Sequence, residues 1–378
     1  MDPRNLLLVF KTVQKKNLIS RTDISKLTHL SESTISRCVS RLLEKNILVE
    51  KRLGKSSGGR PPILLDVNSE GPFSVGIEVG ETHVDIVAIN AFYKILKSES
   101  KVVPKDISID ALVDEIYDTF TTLISAGKIP REKIISVGLG LPGIVSKDQK
   151  KLLLTPNSHF ETFPSSDVLQ RILDIPVFYD NGANLMVFSE YHLNKLSPDS
   201  ILLGVIIGTG IGAGLVVREE IFRGSNGASL EVGHTVVMPG GPECRCGRHG
   251  CVEALASVPK LIESYNAKSN DIKINDIKEL HELFSNGDAL AKDVLEQEAY
   301  YLALLLANLA NIVNPSRIFI GGEITPVLPD IIEQIRKHFS AQVLPTNTCD
   351  IRISKLDQVS IAHGAAIMAM EKEIESYF

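Results

Sequence analysis

His234, Cys244, Cys246 and Cys251 fall within one short stretch of a 378-residue chain that has only five cysteines. One imidazole and three thiolates form a soft tetrahedral donor set that suits zinc. The Cys-x-Cys pair, a third cysteine five residues on, and the interleaved Gly247 and Gly250 allow a tight loop to wrap a single ion. Four protein ligands leave no position for a catalytic water, so the expected site is a closed structural knuckle. The odd cysteine total argues against a disulfide framework. Cys38 and Cys349 stand apart and are expected as small core residues. A second feature is the stretch VGIEVGETHV at 75–84, an apolar strand running into a glycine turn that carries Glu81. Such turns aim backbone N–H groups at anions, so a carboxylate there is out of place.

The elements that must hold these residues begin with a basic head. Residues 1–62 carry 13 Lys/Arg against 5 Asp/Glu, a net of +8, whereas the whole chain is −6 and the remainder therefore −14. A small basic head on an acidic body is expected to meet a polyanion. Asp2-Pro3 starts a helix in which Leu6, Leu7, Phe10 and Val13 recur at helical spacing. TDISKLT reads as a second helix with Thr22 as its N-cap. Ser31 caps a third, whose buried stripe is read as Ile35, Val39, Leu42 and Leu43. Its other face shows Ser33, Thr34, Ser36, Arg37, Ser40 and Arg41, the hydroxyls and guanidinium groups that phosphates and guanine edges require. ILVEKRL, GKSSGGRPP and ILLDV then read as strand, flexible tip and strand. The whole is a winged helix-turn-helix for double-stranded DNA, with Lys55 and Arg60 on a tip suited to a minor groove.

From about residue 72 strands and helices alternate, an α/β pattern. ILLGVIIGTGIGAGLVV repeats, about 130 residues on, the strand-and-glycine-turn opening of FSVGIEVG. A duplicated body with a cleft is expected. With 44% hydrophobic and 23% charged residues, the composition is that of a soluble globular protein. No apolar run approaches the ~20 residues of a membrane span, and the N-terminus reads as an amphipathic helix rather than a signal peptide. No membrane partner and a cytoplasmic location are expected.

LEVGHTVVMPGGPECRCGRHGCVEALAS resembles the signature of the ROK family (repressors, open reading frames and sugar kinases), with its E-x-G-H and C-x-C-G-x-x-G-C-x-E elements. GIEVGETHV, GLGLPGIV, LTPN, DNGAN, GTGIGAG and FIGGEI follow that family's order over essentially the whole chain. The resemblance implies a winged helix-turn-helix over 1–70 followed by a two-lobed, actin-like (ribonuclease H-like) sugar kinase fold. Its lobes are expected over 71–185 and 186–378, with the C-terminal helix able to pack back on the first. It also implies that Asn157, Asn181, Glu231, His234 and Glu253 hold sugar hydroxyls. His234 would serve the metal through one ring nitrogen and the sugar through the other.

Two departures from the family pattern bear on chemistry. Active kinases read N-D-A-N, their aspartate being the general base; here the run is Asn181-Gly182-Ala183-Asn184, and glycine accepts no proton. The D-x-G-G-T phosphate turn is here Glu78-Val79-Gly80-Glu81-Thr82, so a carboxylate stands where phosphates would approach. ATP is therefore not an expected cofactor, and Asp180 sits too far back to replace the base. The reading is a sugar-responsive repressor whose sensor is a catalytically degraded kinase body, working as a homodimer or higher homo-oligomer on a near-palindromic operator. The alternatives are a sugar kinase with residual or altered activity, or a DNA-binding protein with a purely structural body or a peptide-type effector. ATP turnover separates the first, and the absence of any sugar-induced thermal shift would favour the second.

Overall fold

The computed structural model describes residues 2–52, 62–155, 163–194, 196–355 and 359–377. The chain divides into two compact units. One comprises Met1–Leu154, Ser158–Asp180 and Ile361–Phe378, the other Thr155–Asn157 and Asn181–Ser360. Among the described residues no helix is long and apolar enough to cross a membrane.

The first unit opens with α1 (Arg4–Lys16), β1 (Ile19–Ser20), α2 (Arg21–Thr28), α3 (Glu32–Glu44), β2 (Leu48–Arg52) and β3 (Ile63–Val67). Leu6, Val9, Phe10 and Val13 of α1 are buried, as are Ile24 of α2 and Ile35, Cys38, Val39 and Leu42 of α3. Val9 thus takes the core place expected for Leu7; Cys38 is buried as expected, whereas Leu43 is only half-buried. Spacings of three and four residues make 35, 38, 39 and 42 one face, while Leu43 lies about 80° round the helix from Ile35. The cap of α2 is Ser20, not Thr22: its hydroxyl accepts from Asp23 N–H at 3.1 Å and donates to the Asp23 carboxylate at 2.7 Å. Ser31 caps α3 as expected, accepting from Thr34 N–H at 3.2 Å. Strands β2 and β3 pair antiparallel from Leu48↔Val67 to Arg52↔Ile63, and β1 joins the other edge of β3. The wing tip at 53–61, with Lys55 and Arg60, lies outside the described residues.

The same unit continues with β4 (Phe73–Val79), β5 (His83–Asn90), β6 (Ile95–Val102), α4 (Ile109–Ala126), β7 (Ile134–Leu141), β8 (Ile144–Val145), β9 (Leu152–Leu154), α5 (Ser166–Leu173) and β10 (Val177–Asn181). The second unit contains α6 (Gly182–Leu193), β11 (Leu202–Ile207), β12 (Ile211–Val217), β13 (Glu220–Ile221), α7 (Glu253–Ala256), α8 (Val258–Lys268), α9 (Ile277–Ser285), α10 (Ala289–Val313), β14 (Arg317–Gly321), α11 (Leu328–Gln342) and β15 (Asp350–Ile353). The sheet orders β6-β5-β4-β7-β10 and β13-β12-β11-β14-β15 are the same topology twice. In each, an antiparallel pair (β4/β5, β11/β12) is extended by a strand arriving parallel to its first member (β7, β14). The internal duplication is real.

Helix α12 (Ser360–Ser376) returns to the first unit. Gly76 of β4 and Gly138 of β7 let it lie against the sheet: a Cβ at either would stand 2.0 Å or less from the carbonyl oxygen of Ala362 or Ala365. The far end of α12 holds the head. Lys11 pairs with Glu371 at 2.9 Å, Lys45 stacks over the Tyr377 ring at 4.5 Å, and Arg41 Nε donates to the Tyr377 carbonyl at 2.8 Å.

The core of the second unit carries one electrostatic anomaly. Glu298 of α10 is buried and, among the described residues, neither carboxyl oxygen has a hydrogen-bond partner. Burial pushes its carboxyl well above the ordinary range, favouring the protonated form. A raised native pKa gives stability that is whole below the unfolded value of ~4.3 and is lost as pH rises through the native value. Glu298→Leu is accordingly expected to raise stability by about 1–3 kcal/mol at pH 7. It should also flatten the loss of stability above pH ~4.3, read by denaturant unfolding across pH.

Candidate metal centre, sugar site and nucleic-acid face

The four candidate metal ligands are brought together by a loop that folds back on itself. Val236 and Cys251 form an isolated antiparallel bridge, as do Glu243 and His249. The donor atoms of His234, Cys244, Cys246 and Cys251 all lie within 4.8 Å of one another. Cys244 Sγ is 3.6 Å from His234 Nδ1, and Cys246 Sγ 3.6 Å from Cys251 Sγ. Cys244 and Cys251 are buried and Cys246 is exposed. The Arg248 backbone N–H and guanidinium favour the Cys246 thiolate, whereas burial raises Cys251. Three sulfurs and one nitrogen converging in this way fit a tetrahedral soft-metal site.

The expected sugar residues flank it. Glu253, the first residue of α7, is buried beside the cluster. Its Oε2 accepts from the Ile211 backbone N–H at 3.2 Å and from Arg245. Its Oε1 lies 3.9 Å from both His234 Nδ1 and Cys244 Sγ. Nδ1 is thus the nitrogen turned to the cysteines, which leaves Nε2 as the second face of His234. The exposed Glu231 is held above the usual carboxylate range by partial burial and by Glu253, with His234 and Arg245 opposing. These four residues therefore share one electrostatic neighbourhood tied to the GTGIGAG turn through Ile211. Asn181 caps α6, its Oδ1 accepting from Ala183 N–H at 2.8 Å. Asn157 lies outside the described residues.

Gly182, expected from the family pattern at the place of the kinase base, is the first residue of α6. Asp180 is buried and accepts from the Gln149 amide at 3.3 Å. Around the first glycine turn, Gly80 N–H donates back to His83 O at 2.9 Å, and Glu81 lies 3.8 Å from Lys105. That amide closes the hairpin.

On α3, Ser33, Ser36, Arg37, Ser40 and Arg41 are exposed and Thr34 is half-buried. Among the described residues, Arg37 Nε makes only a long bond of 3.4 Å to the Ser33 carbonyl. Arg41 is occupied by Tyr377 and by Glu44 at 3.1 Å. The engagement of Arg41 by α12 had no sequence signal, because its partner is 336 residues away.

A winged helix on a duplicated α/β body defines a transcription regulator built on a sugar-kinase fold. The chain belongs to the ROK family, whose profile matches residues 74–372, and a winged helix-turn-helix DNA-binding profile matches residues 4–49. It is 30% identical to a xylose repressor of Bacillus spizizenii over 97% of this chain and 95% of that protein. It is 26% identical to the transcriptional dual regulator NagC of Escherichia coli, over 96% and 92% of the two chains. In fold it is similar to a crystal structure of a ROK family transcriptional regulator, a homologue of the Escherichia coli MLC protein. That match has a TM-score of 0.83 at 24% identity over 99% of this chain and 96% of the other.

Proposed function

We propose that the protein is a sugar-responsive repressor whose kinase-like body senses a monosaccharide without phosphorylating it. The observation that carries this reading is the coexistence of an ordered His234–Glu253–cysteine neighbourhood with a glycine at the base position. Glu253 is a fixed acceptor and His234, with Nδ1 turned to the knuckle, offers Nε2–H as a donor; both suit sugar hydroxyls, and Glu231, Asn181 and Asn157 complete the set that the family pattern assigns. Zinc is the ion the knuckle would hold, in a structural role. Losing the general base removes a factor of 10²–10⁴, and Asp180, tied to Gln149, is poorly placed to substitute. With Glu81 in the first phosphate turn, ATP is a poor ligand. Residues 1–70 act as the DNA-reading head and the rest as sensor, and a homodimer presents two heads to two half-sites about one helical turn apart.

The test is operator binding with and without sugar. Glu253→Gln should leave DNA affinity unchanged and blunt the sugar response, because by linkage any change in DNA affinity equals the sugar's differential affinity for two arrangements. A Glu253→Gln protein that responds like wild type would place the sensing pocket elsewhere. Turnover with ATP and a panel of sugars should stay well below the 1–100 s⁻¹ of working kinases. Gly182→Asp alone should recover little without Glu81→Gly.

A further inference from the structure

Strands β4 and β5 set two carboxylates directly against each other. Glu78 and Asp85 are cross-strand partners in the antiparallel register, so both side chains leave the same face of the hairpin. Like charges in this position destabilise a strand pair. His83, two residues before Asp85 on β5, shares that face by the period of two. Its Nε2 lies 3.6 Å from Glu78 Oε1 and 3.8 Å from Asp85 Oδ2. One donor atom from each of the three lies within 4.8 Å of the others. The Asp85 side chain is only 5% exposed, and its Oδ1 is buried with no hydrogen-bond partner among the described residues. A buried carboxylate oxygen of this kind calls for a cation or a donor.

The backbone makes room for this grouping. Gly80 faces His83 across the turn, and a Cβ on Gly80 would stand 2.2 Å from the imidazole ring. Only glycine lets the ring lie over the turn, where it reaches both carboxylates. The turn that the kinase pattern devotes to phosphate is shaped here around an imidazole and two acids.

We propose that Glu78, His83 and Asp85 form a second metal site, binding a first-row divalent cation. Imidazole favours zinc, nickel, iron or copper, and the carboxylates extend the range toward manganese. Metal–ligand bonds of about 2.0–2.2 Å imply donor separations of roughly 3.0–3.4 Å. The observed 3.6 and 3.8 Å close to that range with side-chain shifts of a few tenths of an ångström. Three protein donors leave positions open to water or to an oxygen ligand. The site is separate in sequence and chemistry from the thiolate knuckle and does not rest on the sugar-sensing reading.

The test is a calorimetric titration of untagged, zinc-loaded full-length protein with Ni²⁺, with zinc content measured before and after. Wild type should take up one further equivalent per chain while retaining its zinc, and its melting temperature should rise. His83→Ala and Asp85→Asn should each weaken that binding at least tenfold and abolish the thermal shift. The imidazole is partly exposed, so His83→Ala keeps the fold if α12 and the sheet are intact, which circular dichroism checks. No second equivalent in wild type, or unchanged binding in folded His83→Ala, would overturn the proposal.

Discussion

Arg37→Ala is expected to weaken operator binding by about 1–3 kcal/mol, a loss of roughly 5- to 150-fold, and to relax sequence preference at one base pair of each half-site. Arg37 is exposed on α3, and among the described residues its guanidinium is engaged only by the long bond to Ser33. It is therefore free to form a bidentate contact to guanine. Arg41, one turn on, should behave differently. Its guanidinium is committed to Tyr377 and Glu44, so Arg41→Ala should loosen the docking of α12 and leave base preference intact. The measurement is binding to an operator recovered from a random-sequence library, followed by affinities for single-base variants. If Arg37→Ala binds with wild-type affinity and preference, α3 is not the reading helix.

Loss of the proposed knuckle metal should have the second large effect. Cys246→Ser, or exhaustive chelation, is expected to remove the ion, lower the melting temperature and weaken sugar binding at least tenfold. Glu253 Oε1 faces His234 and Cys244 while Oε2 anchors Ile211, so disorder in the knuckle reaches the glycine turn through one carboxylate. Sugar-free operator affinity should change little, because the head and its clamp belong to the other unit. Elemental analysis with sugar-dependent thermal shifts reads both effects. Native protein without stoichiometric metal, or a metal-free form that binds sugar as well, would refute the linkage.

Much of the fold was legible because local rules and tertiary outcome agree. Ser31 caps α3, and the glycine turns after β4 and β11 fall at corresponding points of two equivalent sheets. The cap of α2 was misread because Ser20 is held extended by pairing with Leu64 of β3, a partner that proximity along the chain does not reveal. The Cys/His cluster was legible because its spacing within one loop fixes its chemistry. Glu78, His83 and Asp85 were not, since their grouping depends on hairpin register and on the missing side chain of Gly80. The hold of α12 on the head was invisible for the same reason: Lys11, Lys45 and Glu371 read as ordinary surface charges until the two elements are placed side by side.

That hold has a consequence for the timing of synthesis. At roughly 5–20 residues per second, the 336 positions separating Arg41 from Tyr377 take about 17–67 s to translate. The residues that fill the head's core lie between Leu6 and Val67, so all are made at the outset. The helix that clamps the head emerges only after both sheets. Every newly made copy thus passes through an interval in which Arg41 and Lys45 are unclamped and the sensor is incomplete. In a cell that translates messages while they are being transcribed, a nascent chain spends that interval close to its own gene, with its reading face exposed and no means of reporting sugar.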